Sequence, residues 1–287
     1  MRTPLTLLLP ALVALAACTD APRPSVDPED VLAGALPYRL DAPDAVVTLP
    51  AELREVSGLT VLPSGNLGAV QDERGTVFEI DAATGAVVDR LRFAGAGDFE
   101  GVALAGDALW VLRSDGDLYR LARDSAGAPT ARKVETLLRS RNDTEGLAYD
   151  AASGRLLVAC KEWPGEDADG EDYAGVRAVY AFDLATETVA ARPLLLLDRA
   201  RVDGTSPFKP SALAIHPSTG RLYVLSSVRR ALAVVDTDGT LLGVADLTAS
   251  AAPQPEGLAF GPDGTLYVAS EGPTGPGTLL RFSPVAR

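Results

Sequence analysis

A short phrase stated five times constrains this chain more than any other feature. "QPEGLAF" (254–260), "DTEGLAY" (143–149) and "DFEGVAL" (98–104) share a polar lead, a glutamate, a glycine and an apolar run, and "EVSGLTV" (55–61) and "KPSALAI" (209–215) are weaker copies. Aligned on the residue before the Gly or Ala, the copies fall at Ser57, Glu100, Glu145, Ser211 and Glu256, with spacings of 43, 45, 66 and 45 residues. Such a period, filled with short strand-like segments, is that of a propeller blade of four strands. The long interval contains an insertion, "WPGEDADGEDYAG" (163–175); without its 13 residues it shortens to 53.

Each copy opens a similar series of segments. In the first, "SGLTVL" is followed by the turn "PSGN", then "LGAVQ", "TVFEID", the turn "AATG" and "AVVDRLRF". Apolar alternation and β-branched residues between Gly-containing turns predict strands. Equivalent first turns recur as "AGDA" (105–108), "AASG" (151–154), "HPSTG" (216–220) and "GPDG" (261–264). The 27 Gly and 21 Pro are spread along all 287 residues, and 47% of the chain is hydrophobic, enough for one large turn-rich domain with a substantial core. The regular period disfavours a sandwich of stacked sheets.

The last copy ends early. Its strands fall near 256–260, 265–270 and 277–283, with no fourth. Ahead of the first copy stands an orphan strand-like run, "DAVVTLP" (44–50). The expectation is therefore an all-β, five-bladed propeller of four-stranded antiparallel blades, the N-terminal strand closing the last blade and removing free sheet edges. The alternative, six blades, would need another blade from residues 19–43, which lack a four-strand pattern.

Residues 1–17 read as a secretory signal: one Arg, an apolar stretch and small residues. The ending "LAAC" resembles a bacterial lipoprotein box, which implies cleavage before Cys18 and lipid attachment there. Thr19, not Asp, follows the cysteine, so the expected location is the cell envelope, on the outer rather than the inner membrane. Residues 18–36 read as the lipidated cysteine and a Pro- and Asp-rich tether, and 37–287 as the propeller. Lipidation of Cys18 would leave Cys160, in the apolar run "GRLLVAC", as a buried thiol without a disulfide partner. The formal charge of −13, with no Lys/Arg run, argues against a nucleic-acid partner.

In a blade the first strand lines the central channel, so the five aligned positions ring its mouth. Glu100, Glu145 and Glu256 stand there with Ser57 and Ser211; two residues earlier come Glu55, Asp98, Asp143, Lys209 and Gln254. Six carboxylates on one axis repel, and either some take up protons or cations neutralise them. An all-oxygen set suits Ca²⁺ and serves zinc poorly, because His216 is the only histidine. The alternative is that each glutamate hydrogen-bonds the neighbouring blade's backbone and binds nothing. Ends of second strands reach the same face with Gln71-Asp72, Arg113-Ser114, Lys161-Glu162, Ser226-Ser227 and Ser270-Glu271. Asp72, Arg113, Lys161 and Ser211 are the candidate ligand-binding residues, with the insertion, carrying Trp163 and Tyr173, as a lid. Its "DADGED" lacks EF-hand spacing.

The stretches "LREVSGLTVLPSGNLGAVQDERGTVFEID", "DFEGVAL", "NDTEGLAYD" and "PQPEGLAF" resemble the SdiA-regulated (YjiK-like) family, propellers distantly similar to NHL-repeat proteins. The likeness covers roughly residues 45–285. It implies a five-bladed propeller with calcium at a shared site, for which Glu55, Asp98, Glu100, Asp143, Glu145 and Glu256 are the candidate ligands. The family has no settled activity. The expected role is a lipid-anchored envelope protein binding a small molecule or a protein partner. A second resemblance, to esterase-like phytase propellers with a similar "SGL" opening, keeps open a calcium-dependent hydrolase of ester, phosphate or lactone. No catalytic residue is assignable: the chain has neither a histidine for a triad nor a G-x-S-x-G elbow.

Overall fold

The computed structural model describes residues 28–125, 127–248 and 250–285. The signal segment, Cys18 and the first part of the tether lie outside them.

Strand β1 (Ala45–Thr48) precedes five repeated units. The first blade is β2 (Val56–Val61), β3 (Leu67–Gln71), β4 (Arg74–Ile80) and β5 (Val87–Ala96), and the second is β6 (Phe99–Ala105), β7 (Ala108–Arg113), β8 (Leu118–Arg123) and β9 (Pro129–Val134). The third is β10 (Thr144–Asp150), β11 (Arg155–Cys160) and β12 (Val176–Asp183), with an outer edge in two pieces, β13 (Thr188–Val189) and β14 (Leu195–Asp198). The fourth is β15 (Pro210–Ile215), β16 (Leu222–Ser226), β17 (Ala231–Val235) and β18 (Leu241–Asp246). The fifth is β19 (Gln254–Phe260), β20 (Leu266–Glu271) and β21 (Thr278–Phe282), completed by β1 in the order β1-β21-β20-β19. Antiparallel pairing of Ala45 with Arg281 through Thr48 with Thr278 closes the ring. The architecture is thus an all-β, five-bladed propeller shut by its N-terminal strand.

Turn chemistry sets the repeat. Between first and second strands, Gly65, Gly106, Gly154, Gly220 and Gly264 all adopt positive φ, between 64° and 85°. A side chain at those angles would be strained, so glycine marks the same corner of every blade.

Burial between blades holds the ring together. Five apolar clusters form, one at each blade-to-blade contact. Between the second and third blades, Trp110 packs on Phe182 with centroids 5.4 Å apart. Between the fourth and fifth lie Tyr223, Leu232 and Phe282, joined by Ala35, Leu36, Tyr38 and Leu40. A helix, α1 (Pro28–Ala35), therefore packs onto the propeller inside the stretch read as tether, with Leu32 against Gly243 of β18; just beyond that stretch the Tyr38 hydroxyl donates to the Gly264 carbonyl at 2.7 Å. Cys160 is fully buried, and burial pushes its thiol up to about 12, which keeps it protonated and unreactive. Among the described residues no helix is long and apolar enough to cross a membrane.

Candidate functional site at the channel mouth

The five aligned residues sit inside the first strands rather than just before them, and each sits on a β-bulge. Pairing jumps from Val56–Gln71 to Gly58–Val70, from Phe99–Arg113 to Gly101–Leu112, from Pro210–Ser226 to Ala212–Leu225 and from Pro255–Ser270 to Gly257–Ala269. In the third blade it jumps from Thr144–Cys160 to Leu147–Val158. Ser57, Glu100, Glu145, Ser211 and Glu256 fall within these interruptions, and a bulge re-aims the side chain it carries. The glycine that follows has its own cause. A Cβ on Gly101 would come within 2.7 Å of the Leu147 Cβ, and one on Gly58 within 2.9 Å of the Gly101 Cα. In four of the five blades the inner strands converge too closely around the axis for a side chain at that point; the fourth carries Ala212 there.

Two residues further on, Leu59, Val102, Leu147, Leu213 and Leu258 are all buried and plug the channel. Only about 10 Å³ of void remains beneath the polar ring. Beyond the plug a funnel of about 190 Å³, with Val61, Leu104, Tyr149, Ile215 and Phe260 in its wall, opens on the opposite face. The channel is therefore not a pore. Its mouth is a shallow polar dish on an apolar floor.

The two serines and three glutamates of the ring behave differently. The Ser57 hydroxyl donates to the Phe99 carbonyl of the next blade at 2.6 Å, and Ser211 donates to the Pro255 carbonyl of its next blade at 3.1 Å. A carboxylate cannot make that bond. Glu145 and Glu256 are buried and Glu100 nearly so. Burial, then Glu145 and Asp98, push Glu100 up to about 10, so it carries a proton at neutral pH. Burial and Glu256 raise Glu145, and Lys161 opposes them. Glu256 is raised by burial against the pull of Lys161 and of hydrogen bonds from Ser227, Gln254 and Ser211.

A second polar ring follows from the ladder. The backbone amides of Asp72, Ser114 and Lys161 donate to the carbonyls of Glu55, Asp98 and Asp143 at 3.4, 3.0 and 2.8 Å. Lys161 is the cation in this ring: its ammonium bonds Glu145 Oε1. The other oxygen, Glu145 Oε2, is buried without a hydrogen-bond partner, as is Asp72 Oδ1. Around Asp72 the charge is uncompensated. Burial and Glu55 raise Asp72 to about 6, and burial, Glu256 and Asp72 raise Glu271 to about 7. Gln254 Nε2 donates to Glu271 Oε2 at 2.5 Å.

The sequence-selected residues thus divide. Glu100, Glu145 and Glu256 share the ring. Asp98 and Asp143 stand beside it, Asp98 acting on Glu100 and Asp143 on Glu145. Glu55 acts instead on Asp72 and Glu271. Arg113 is held in its own turn by Asp115 and by Asp117 at 3.1 Å, Lys209 is paired with Glu162, and Ser211 makes the interblade bond and also acts on Glu256. The insertion folds as a small hairpin whose Glu166 bridges Asp172. Trp163 Nε1 donates to Asp172 at 2.8 Å, and Arg141 stacks 3.2 Å above the indole. Sequence reasoning passed over Arg177. It is buried, donating from Nε to the Phe208 carbonyl at 2.6 Å and from Nη1 to the Lys161 carbonyl at 3.1 Å. An arginine inside the apolar run "VRAVYAF" was the available signal.

The donor chemistry fits a hard cation: every ring atom is oxygen and one buried carboxylate oxygen lacks a partner. The spacing is not closed, for among the described residues no three His, Cys, Asp or Glu side chains are gathered as a ready metal cluster. The Lys161 ammonium holds the place of the counter-charge.

Comparison with solved structures returns propellers. Myxococcus xanthus glutaminyl cyclase aligns with a TM-score of 0.57 at 16% identity, covering 84% of this chain and 95% of that one. A luciferin-regenerating enzyme aligns with a TM-score of 0.50 at 18% identity, covering 84% and 95%. These likenesses concern the fold alone. A search of curated proteins finds no match. The profile of the SdiA-regulated family matches residues 46–275, and the chain belongs to that family.

Proposed function

We propose that this propeller is a cell-envelope binding protein, tethered through lipidated Cys18 at the outer membrane, whose channel mouth holds calcium together with a small molecule or a protein partner. The observation that carries the reading is the unpartnered Glu145 Oε2, buried in a ring where Glu100 and Glu256 are raised by burial. Buried carboxylates without donors are costly, and a bound cation is the occupant that repays them. Glu100, Glu145 and Glu256 are the ligands expected to hold it, with Asp98 and Asp143 at the rim. Calcium, when bound, supplies charge neutralisation and a fixed oxygen-coordinating centre for a ligand.

The test is calcium titration of the purified domain. Millimolar calcium should raise the melting temperature and chelator lower it; at 100 times the dissociation constant the gain is about 2.7 kcal/mol. Magnesium should substitute poorly, and Glu145→Gln should weaken the response. An unchanged melting curve would remove the calcium reading. Cys18→Ser should abolish labelling by a fatty-acid probe, and persistent labelling would remove the anchor.

One observation favours a hydrolase on the same dish. Asp72 at about 6 and Glu271 at about 7 are placed for proton transfer near neutral pH. A screen of lactones, esters and phosphomonoesters, with and without calcium, decides between the readings. Turnover lost in Glu271→Gln would establish the enzyme.

A further inference from the structure

We infer that Lys161 is the built-in occupant of the cation position, and that a divalent ion enters the mouth only by displacing its ammonium from Glu145. The inference rests on the reading of the mouth as a cation site and adds the residue that governs entry.

The first support is position. Lys161 follows Cys160, the β11 partner of Thr144, so it stands beside the Glu145 bulge of its own blade. Equivalent places in the other blades carry Asp72, Ser114, Ser227 and Glu271, none of them cationic. The ammonium is thus no consequence of the repeat. It occurs in one blade, against the most buried glutamate of the ring.

The second is how the lysine is held. Its amide donates to the Asp143 carbonyl at 2.8 Å, and its carbonyl accepts from Arg177 Nη1 at 3.1 Å. Arg177 is itself buried and fixed to the Phe208 carbonyl. The backbone root is clamped from two sides while the side chain remains 26% exposed. An aliphatic stem anchored at its root, with a solvent-facing route, lets the head leave Glu145 without moving the strand.

The third is the carboxylate itself. The ammonium takes Glu145 Oε1 and leaves the buried Oε2 without a donor. An incoming ion taking Oε2, alone or together with Oε1, would meet the positive charge of the ammonium across a single carboxylate. Ammonium and divalent ion therefore exclude one another on the same side chain. Asp143, beside Lys161, supplies a carboxylate to which the displaced head can turn.

The test measures calcium affinity by calorimetry and by melting temperature in wild type, Lys161→Gln and Lys161→Arg. Gln keeps a donor for Glu145, which protects folding, and removes the charge; Arg keeps the charge. Calcium should bind Lys161→Gln at least about tenfold more tightly than wild type, and Lys161→Arg no more tightly than wild type. Adding Glu145→Gln to Lys161→Gln should abolish the gain. Binding to Lys161→Gln alone would uphold the exclusion while removing calcium from the native protein. Equal or weaker binding by Lys161→Gln than by wild type would overturn the inference and leave the cation reading standing. No binding by either would remove both. Should Lys161→Gln melt too low to purify, the Lys161→Arg arm still decides: tenfold tighter binding there, with the charge retained, overturns the exclusion.

Discussion

Two rings of side chains lie two residues apart on the same five strands and are built on opposite principles. Leu59, Val102, Leu147, Leu213 and Leu258 fill the channel waist, all buried, all apolar, interchangeable in kind. Ser57, Glu100, Glu145, Ser211 and Glu256 above them are nearly as buried, yet polar and unequal. The waist stabilises by area removed from water. The mouth opposes folding wherever a glutamate lacks a donor, and it persists because the bulges aim those groups at the axis. The comparison separates what holds the propeller from what the propeller holds.

The widest test removes the frame both rings share. Deleting residues 44–50 takes away β1 and exposes the edge of β21. The expected outcome is loss of cooperative melting and aggregation on size-exclusion chromatography, since an unpaired edge strand templates association. A monomer melting like wild type would show that the closing strand is dispensable.

Next comes the waist alone. Leu147→Ala removes a buried side chain from the plug and should cost about 2–5 kcal/mol in urea unfolding. Its effect should be the same at pH 6 and pH 8, because nothing at the waist titrates. A pH-dependent loss would mean that waist and mouth are coupled more closely than their separation along the strand implies.

The mouth should show the opposite signature. A carboxyl whose folded value is raised stabilises the fold fully only below its unfolded value, and that contribution is lost as pH rises toward the folded one. With Glu100 at about 10, stability in chelator should fall between pH 6 and pH 9, by about 1.4 kcal/mol per pH unit for one such group. Glu271 at about 7 adds to the slope only in the lower part of that window. Glu100→Gln, which cannot ionise, should flatten the curve. A variant as steep as wild type would place the titrating proton elsewhere.

These contrasts also mark how far the chain could be read. Period, turn glycines and closing strand were all legible, because backbone geometry repeats whenever the same corner must be turned. Gly65 through Gly264 announce it five times. The ring positions were legible for the same reason, although the cause, a bulge in each first strand, was not. Charge pairing was hidden. Arg113, Lys161 and Lys209 look alike in sequence, and the structure gives each a different acid: Asp115 and Asp117, Glu145, and Glu162. Only the Lys209–Glu162 pair joins two blades; Arg113 finds its acids in its own turn and Lys161 in its own blade, and which nearby acid each cation takes depends on rotamers that no local pattern encodes. The third blade's outer edge escaped too. It breaks into β13 and β14, with the exposed Leu194 between them.

The smallest expected effect lies within the polar ring itself. Ser57 and Ser211 occupy the glutamate position but donate to the carbonyl preceding the next blade's ring residue, Phe99 in one case and Pro255 in the other. They are stitches between blades, while the glutamates are the charged groups the ring presents. Ser57→Ala should therefore cost about 1 kcal/mol, the net worth of one buried hydrogen bond, with no change in calcium response or pH slope. Ser211→Ala should cost a similar amount, but because its hydroxyl also helps to hold Glu256 down, it should raise Glu256 further and alter the pH slope; its contact with the Leu225 carbonyl at 3.5 Å is longer and weaker. Urea unfolding of both variants at pH 6 and pH 8, with and without calcium, separates the roles. If either alanine variant abolished a calcium response that wild type shows, the serine would be a ligand, and the division of the ring into stitches and charges would have to be redrawn.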